Sequence, residues 1–503
     1  MQAEGDIEGG RLDDNQGRNR ISNGEDHNTI PVAKEEKDST LVDWNGPDDP
    51  ENPQNWSALR KWMITTNMGL VAFCATFSSS IFSTATAATA SESNVSQEVM
   101  ILGTSVFVLG FSFGPIFWGP LSEIFGRRIP LFTGIIGFVV FQIPVAVASN
   151  VQTIVICRFI GGCFGAAPLA VVGGGLADIW NPVDRTMAIC IFAGGTFIGP
   201  VGAPIVGGFI VDSHLGWRRT LWITLIMSVF FSIIGFFTIP ETSPSAILQH
   251  RAKNLRYQTK NWALHAKADE HRVDPWSIVT VYLARPLTML YQEPILLLMT
   301  LYMSFIYGIL YLFFEAFPII FQENRGWNEG VSGLPFLSII IGVIMGSVIM
   351  VYSTKTRFVR KYRENGNKFV PEERLPPMVL GAIVLPIGLF WFAWTDNPHI
   401  LWVPQVIAAA PVGMGIFIGF WQGLNYLIDC YGPSSNSAIA GNTFLRSLAG
   451  AGFPLFATPM YHNLGVPWAT SLLAFLCIVF VPAPIVFYYY GARIRSWSTM
   501  TAK

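Results

Sequence analysis

The chain has 503 residues, of which 51% are hydrophobic and only 13% are charged. Soluble domains carry about 25% charged residues, so this composition excludes an ordinary soluble globular protein. The net charge of −1 is unevenly distributed, because residues 1–57 carry fourteen Asp and Glu against five Lys and Arg, which leaves +8 for the rest.

Residues 1–57 are poor in apolar side chains and rich in Gly, Asn and Asp. This composition predicts an acidic, disordered cytosolic tail. The first long apolar run begins near Met63, so we expect no cleavable signal sequence. We expect that run to be the first membrane anchor.

The rest of the chain contains apolar runs of roughly 20–28 residues, long enough to cross a bilayer as helices. Spans one to six are predicted near residues 63–86, 98–118, 129–149, 153–179, 186–211 and 219–239. Spans seven to twelve are predicted near residues 293–321, 331–353, 377–395, 400–427, 434–460 and 466–490. The sequence therefore predicts an all-α polytopic membrane protein with two six-helix bundles, 58–240 and 292–491, and cytosolic segments 241–291 and 492–503.

The distribution of Lys and Arg predicts that both termini are cytosolic. With that orientation the inner loops and flanks hold fourteen Lys and Arg, whereas the outer loops hold three. A possible N-glycosylation site at Asn94, in the sequence Asn94-Val-Ser, falls in the first outer loop. A similar sequence at Asn55 falls in the inner tail, so the signal is a weak one.

Motifs for chemistry are absent from the sequence. No histidine falls within a predicted span, no phosphate-binding loop of the G-x-x-x-x-G-K-[ST] type is present, and the six cysteines form no C-x-x-C pair. Twelve spans in two halves without nucleotide or catalytic motifs indicate a secondary transporter rather than an enzyme. We expect no cofactor, metal or nucleic-acid partner.

The inner loop after span two reads "GPLSEIFGRRIPLF", residues 119–132. It resembles the signature G-x-L-a-D-r-x-G-r-[kr]-x-x-l of the major facilitator superfamily, with Glu123 in place of Asp. Gly119 and Gly126 would allow a tight turn, and Glu123, Arg127 and Arg128 would form a charge cluster at the membrane face. An ordinary positively charged inner loop is the alternative.

Span four resembles the same family at two places. In "GGGLADIWNPVDRTMA", residues 173–188, Asp178 and Arg185 are expected to join the inner charge cluster, which the resemblance associates with the outward-facing state. A solvated helix end is the alternative for Asp178. In "RFIGGCFGAA", Arg158 occupies the position of an arginine that assists proton transfer in the family, although a structural ion pair is also open.

Span five contains "AGGTFIGPVGAPIVGG", residues 193–208, which resembles the antiporter motif G-x-x-x-G-P-x-x-G-P-x-x-G-G. The matching positions are Gly195, Gly199, Pro200, Ala203, Pro204, Gly207 and Gly208, with Ala203 where the family has glycine. Small residues at every fourth position let membrane helices approach closely. We predict that this stripe packs against Gly342 and Gly346 of span eight, between the two halves.

Further stretches extend the resemblance to almost everything after residue 42. They include "VDWNGPDDPENPQNWS", residues 42–57, "PETSPSAILQHRAKNLR", residues 240–256, and "YLFFEAFPIIFQENRGW", residues 311–327. The chain is similar to the fungal twelve-spanner drug:proton antiporters, which export multiple drugs, polyamines and toxins. The resemblance implies the major facilitator fold, with a central cavity, protons and a small molecule as transported partners, and a functional monomer in the lipid bilayer.

In that fold spans one, four, seven and ten line the cavity. Counting along each helix places Arg158 about 9 Å and Glu315 about 10 Å below the outer membrane face. We hypothesise that these two residues sense one another and that protonation of Glu315 is part of the coupling. Alternatively, Glu315 only caps the outer end of span seven.

A possible substrate wall on span ten favours lipophilic or cationic compounds over a sugar. Its members are Trp402, Met414, Phe417, Phe420, Trp421 and Asn425, and an interfacial belt or helix packing is the alternative for Trp402 and Trp421. Arg446 and Asn442 in span eleven are interpreted as a structural or gating pair, with substrate contact as the alternative. Proton-coupled uptake of a nutrient and a transport-dead sensor remain open as alternatives to export. We expect the plasma membrane, with the vacuolar membrane as the alternative.

Overall fold

The computed structural model describes residues 40–270, 284–366, 370–397, 400–496, 498 and 500. Within these residues, eleven helical segments are long and apolar enough to cross a membrane. Ten of them are single spans: Ala58–Ser93, Gln97–Ile124, Arg128–Ala146, Val151–Ile179, Met187–Asp212, Arg218–Thr238, Pro294–Glu323, Glu329–Glu364, Pro371–Trp394 and Val403–Tyr431. The protein is therefore an integral membrane protein, and the predicted all-helical class is confirmed.

The eleventh segment, Ser435–Arg495, contains spans eleven and twelve. It has 61 residues, about three times the ~20 that one span requires, so it is long enough for two spans and the turn between them. The backbone leaves the helical conformation at Gly465, where φ is 74° and ψ is 158°. Because glycine adopts a positive φ without steric cost, the chain turns there, close to the predicted gap between residues 460 and 466.

Polar side chains at the loop ends determine where several helices begin. Asn150 accepts a hydrogen bond from the backbone N–H of Thr153 at 2.8 Å, and Asn181 accepts one from Asp184 at 2.9 Å. Such caps satisfy N–H groups that the first helical turn leaves free. Asn94 is exposed and left-handed, with φ 52°, at the end of the helix Thr86–Ser93; its glycosylation stays a prediction.

The most extensive contacts between the two halves are made by two pairs of spans. Span two packs against span eleven, and span five packs against span eight. Within the halves, span one packs against span five and span seven against span eleven. This arrangement leaves a cavity between the halves at each end. We call the end that contains Arg127 and Arg374 the inner end, since it is the end predicted to face the cytosol.

The prediction of a disordered tail is wrong for residues 40–57, whereas residues 1–39 lie outside the described residues. The ordered part docks on a helix of the loop between the halves, Pro244–Thr259. Buried Asp49 accepts a hydrogen bond from Arg251 at 2.7 Å and another from the backbone N–H of Asn45 at 2.8 Å. The Arg251 hydrogen bond lowers the pKa of Asp49 to about 2.

Candidate transport site

The central cavity lies between the two halves and extends from the inner end to the middle of the protein. Its volume is about 320 Å³. Its aromatic lining comes from both halves and consists of Phe192, Phe197, Tyr307, Tyr311, Phe420 and Trp421. The cavity thus offers flat apolar surfaces to a bound molecule, with charged groups confined to its inner mouth and to Arg446.

A second cavity of about 310 Å³ lies at the outer end. Glu315, Glu323 and Glu329 line it together with His462, which belongs to span eleven rather than to the predicted loop. The imidazole of His462 lies 2.8 Å from the Glu323 carboxylate. We call this space the outer cavity.

One turn of span seven separates the two cavities. Tyr311 lines the central cavity, whereas Phe314 and Glu315 line the outer cavity. The hydroxyls of Tyr311 and Ser79 are 2.8 Å apart, so this hydrogen bond joins span seven to span one at the boundary. A molecule that passes from one cavity to the other must disrupt this contact between the halves.

The inner charge cluster of the first half is centred on Arg127. Its guanidinium pairs with Asp178 at 2.9 Å, and its backbone N–H donates to Glu241 at 2.8 Å. Gly126 has a φ of +81°, so the turn requires glycine there. Gly119, in contrast, lies within the span-two helix Gln97–Ile124 and lines the central cavity, so it does not form the turn.

Other residues predicted for this cluster have different contacts. Arg128 donates to the carbonyl of Phe236 at 2.9 Å and lies over that ring, away from Asp178. Glu123 accepts a hydrogen bond from Asn436 of span eleven at 2.5 Å, which joins the two halves. Arg185 is half-buried and lines the central cavity, and burial lowers its pKa.

The second half has an equivalent cluster that sequence reasoning missed. Arg374 pairs with Asp429 at 2.9 Å, and both side chains are less than a tenth exposed. Glu372 accepts two hydrogen bonds from Arg495, at 2.9 and 3.0 Å. The sequence position of Arg374 could have indicated this cluster. Arg374 falls between predicted spans eight and nine, and this place in the second half is equivalent to the loop after span two in the first.

Arg158 is buried within the first half. It donates to the carbonyls of Gly103 at 2.5 Å, Ser78 at 3.1 Å and Ser79 at 3.3 Å. No ion pair with Glu315 exists among the described residues, and Glu315 Oε1 is buried without a hydrogen-bond partner. The structure therefore does not place the two residues in contact, and their coupling stays a prediction.

The glycine stripe of span five faces span one, not span eight as predicted. A Cβ added at Gly199 would meet the Thr76 hydroxyl and the backbone of Phe73 and Phe77. Ala203 is fully buried and packs with Phe77, which also belongs to span one. The sequence spacing identified a face for close packing but did not specify which helix it contacts.

A different face of span five contacts span eight. A Cβ added at Gly208 would lie 2.5 Å from the carbonyl oxygen of Glu329, and one added at Gly333 would lie 2.8 Å from that of Pro204. Gly342 and Gly346, the predicted partners, face span ten. The two halves are thus closely packed at span five, but through these other residues.

The prolines of span five are accommodated by span one. Pro204 lacks an N–H and leaves the carbonyl of Pro200 without its helical partner. The hydroxyl of Ser80 donates to that carbonyl at 2.6 Å. A neighbouring side chain thus satisfies the freed group, as the bilayer interior requires.

Three of the six residues predicted for the substrate wall line the central cavity, and their contact with a substrate stays a prediction. Phe420, Trp421 and Asn425 line the central cavity. Trp402 is 44% exposed and stands one residue before the span-ten helix, so it lies at the outer surface. Met414 and Phe417 pack behind the cavity lining, where Phe417 contacts the ring of Phe197 at a centroid distance of 5.5 Å.

Two helical bundles around a cavity that reaches one membrane face define a polytopic membrane transporter. Residues 68–454 match the family model of the Major Facilitator Superfamily, and the chain belongs to that superfamily. It is 53% identical over 467 residues to the citrinin biosynthesis cluster MFS transporter mrr1 of Monascus ruber, and the aligned region covers 93% of each chain. It is 45% identical to the cercosporin MFS transporter CTB4 of Cercospora nicotianae, over 92% of this chain and 90% of the relative.

A solved structure of the proton:xylose symporter XylE, bound to 6-bromo-6-deoxy-D-glucose, has the same fold. The TM-score is 0.62 at 14% identity, and the match covers 86% of this chain and 96% of XylE. Because the identity is low, this likeness concerns the fold alone.

Proposed function

We propose that this protein is a proton-coupled exporter of small, mostly lipophilic organic compounds of the secondary-metabolite type. The observation that carries the proposal is the identity of 53% over 93% of the chain to a transporter named for the citrinin biosynthesis cluster. The aromatic lining of the central cavity supports it, since a sugar would need a denser set of polar partners. We place the protein as a monomer in the plasma membrane, where export removes a compound from the cell.

Glu315 is the proposed proton carrier. Its carboxyl lines the outer cavity, and it is buried, at 5% exposure, with one oxygen unpartnered. Burial of an unpaired carboxylate is costly, so the group gains a proton from the outer side and releases it when its surroundings become polar. Tyr311, one turn before Glu315, is hydrogen-bonded to the hydroxyl of Ser79, and the backbone carbonyl of Ser79 accepts a hydrogen bond from Arg158. Arg158 would therefore act on Glu315 indirectly, through span one.

The test is accumulation of a compound panel, including citrinin and cercosporin, in cells with and without the gene at two external pH values. We expect lower accumulation with the gene, and a larger difference at acidic external pH. Glu315→Gln should abolish the pH-driven part. Glu323→Gln is the matched control, because Glu323 lines the same cavity but is half exposed and pairs with His462. Equal accumulation for all compounds would refute export, and undiminished pH-driven efflux by Glu315→Gln would refute its role.

A further inference from the structure

Arg446 of span eleven is a buried cation that faces the central cavity. Its side chain is 9% exposed. Among the described residues, no carboxylate pairs with it and none of its nitrogens has a hydrogen-bond acceptor; Nε is fully buried. Asn442, its predicted partner, instead donates to the hydroxyl of Thr300 at 3.1 Å.

Three other arginines near the middle or inner end of the protein each have an acceptor from the protein. Arg158 has three backbone carbonyls, Arg127 has Asp178, and Arg374 has Asp429. A charged group inside a membrane span is expensive unless it has a partner or faces a watery cavity. Arg446 differs from these three in having no acceptor among the described residues, while lining a cavity that a ligand can enter.

The geometry of Arg446 restricts which ligand groups can bind it. The guanidinium lies against a pair of stacked rings, with its Cζ 4.8 Å from the centroid of Tyr307 and 4.7 Å from that of Phe420, and the two ring centroids are 5.9 Å apart. The rings thus occupy neighbouring sides of the guanidinium, and its N–H groups, which have no acceptor among the described residues, are left to bind a ligand. A guanidinium edge matches a carboxylate, which accepts two parallel hydrogen bonds in the same plane.

Aromatic rings surround Arg446, and the central cavity as a whole has more positive than negative side chains. Phe197 packs against Phe420, with ring centroids 5.2 Å apart, and Trp421 lies beside them in the cavity wall. The charged groups that line the cavity are four arginines and two acids, namely Arg127, Arg185, Arg374, Arg446, Glu123 and Asp429. Both acids already have partners, since Asp429 pairs with Arg374 and Glu123 accepts from Asn436.

We propose that the central cavity binds aromatic carboxylates, with the carboxylate on the edge of Arg446 and the ring system on the aromatic wall. The inference rests on the proposed export function and specifies its substrate class. It disagrees with the expectation of cationic compounds such as polyamines, because Arg446, which has no acceptor among the described residues, puts a positive charge deep in the cavity. A neutral lipophilic compound would use the wall but leave the guanidinium unpaired.

The experiment is equilibrium binding of three matched radiolabelled probes to the purified full-length protein at pH 7. The probes are 2-naphthoate, its neutral methyl ester and the cationic 2-naphthylmethylamine. We expect 2-naphthoate to bind at least about tenfold more tightly than the ester, since hydrogen bonds to a charged group exceed neutral ones by that order. The amine should bind most weakly. Equal affinity for 2-naphthoate and the ester would overturn the proposal without any variant being needed.

Variants then test whether Arg446 carries the preference. Arg446→Gln should lose at least about tenfold in 2-naphthoate affinity while ester binding stays the same. Arg446→Lys should keep part of the preference, because it retains the charge but not the planar edge. Arg360→Gln is the matched control, since that arginine is 68% exposed in an inner loop. A normally folded Arg446→Gln protein that still prefers 2-naphthoate would also overturn the proposal.

The outcome can be separated from a failure of the proposed function. If cells export lipophilic compounds but the purified protein shows no preference for 2-naphthoate, the substrate class is wrong and export stands. If the preference is present but cells with and without the gene accumulate every compound equally, export is wrong and the anion site stands.

Discussion

The close contact between span five and span eight makes a quantitative prediction for Gly208→Ala. The added Cβ would lie 2.5 Å from the Glu329 carbonyl oxygen and 3.2 Å from Gly330 Cα. Because both atoms belong to the backbone, no side-chain rotation relieves the clash, and the two halves must separate locally by about 1 Å to reach ordinary contact distance.

Overpacking of this kind costs about 1–3 kcal/mol. At about 1.4 kcal/mol per factor of ten, the state in which these spans touch loses between about fivefold and 150-fold in population. We therefore expect Gly208→Ala to lower the midpoint of thermal unfolding and to reduce the rate of efflux from cells.

The matched control for this prediction is Gly195→Ala in the same helix. No atom lies within 4 Å of a Cβ added at Gly195, so the same change in helix propensity occurs there without a clash. Gly199→Ala should also be damaging, but through the contact of span five with span one. If Gly208→Ala matched Gly195→Ala in both thermal stability and efflux, the close packing between the halves would be refuted.

Three further variants test other contacts. Asp429→Asn leaves Arg374 buried beside a neutral group, and breaking such a pair costs about 3–5 kcal/mol, measurable as a fall in thermal stability; unchanged stability would contradict it. Ser80→Ala leaves the carbonyl of Pro200 unsatisfied and should cost about 1–3 kcal/mol in the same assay. Asp49→Asn should speed hydrogen exchange of residues 40–57 at pH 7. In the native chain that protection should be complete above the ordinary aspartate pKa near 4 and be lost as the pH falls towards 2, because the docked pKa is about 2; protection independent of pH would refute this.

The membrane-spanning pattern could be predicted from the sequence because bilayer thickness dictates the length of each apolar run. The resemblance of two motifs to those of the family led to the expectation that Arg127 and Asp178 share a charge cluster, and the spacing of small residues identified the face of span five that packs closely. Sequence reasoning failed for residues 40–57, where a high acid content favoured disorder. Asp49 is hydrogen-bonded to Arg251, which lies 202 positions further along the chain, and no local pattern reveals so distant a contact.

The buried arginines show the same limit within the site. Arg158 and Arg446 both appear in the sequence as single charges in apolar spans, and both carry the same desolvation cost. Only their contacts distinguish them, because Arg158 binds backbone carbonyls whereas Arg446 has no acceptor among the described residues. Helix periodicity likewise identified the span-five stripe, but the rotation of each helix about its axis decided which neighbour it meets.

Transport in proteoliposomes tests proton-coupled export most directly. Purified full-length protein would be reconstituted, and uptake of a compound that the cells export would be followed with and without an acidic interior. Vesicles with the inner end of the protein outside should accumulate the compound only when the interior is acidic, and a protonophore or Glu315→Gln should abolish that accumulation. Uptake that is the same with and without the pH gradient would contradict the account.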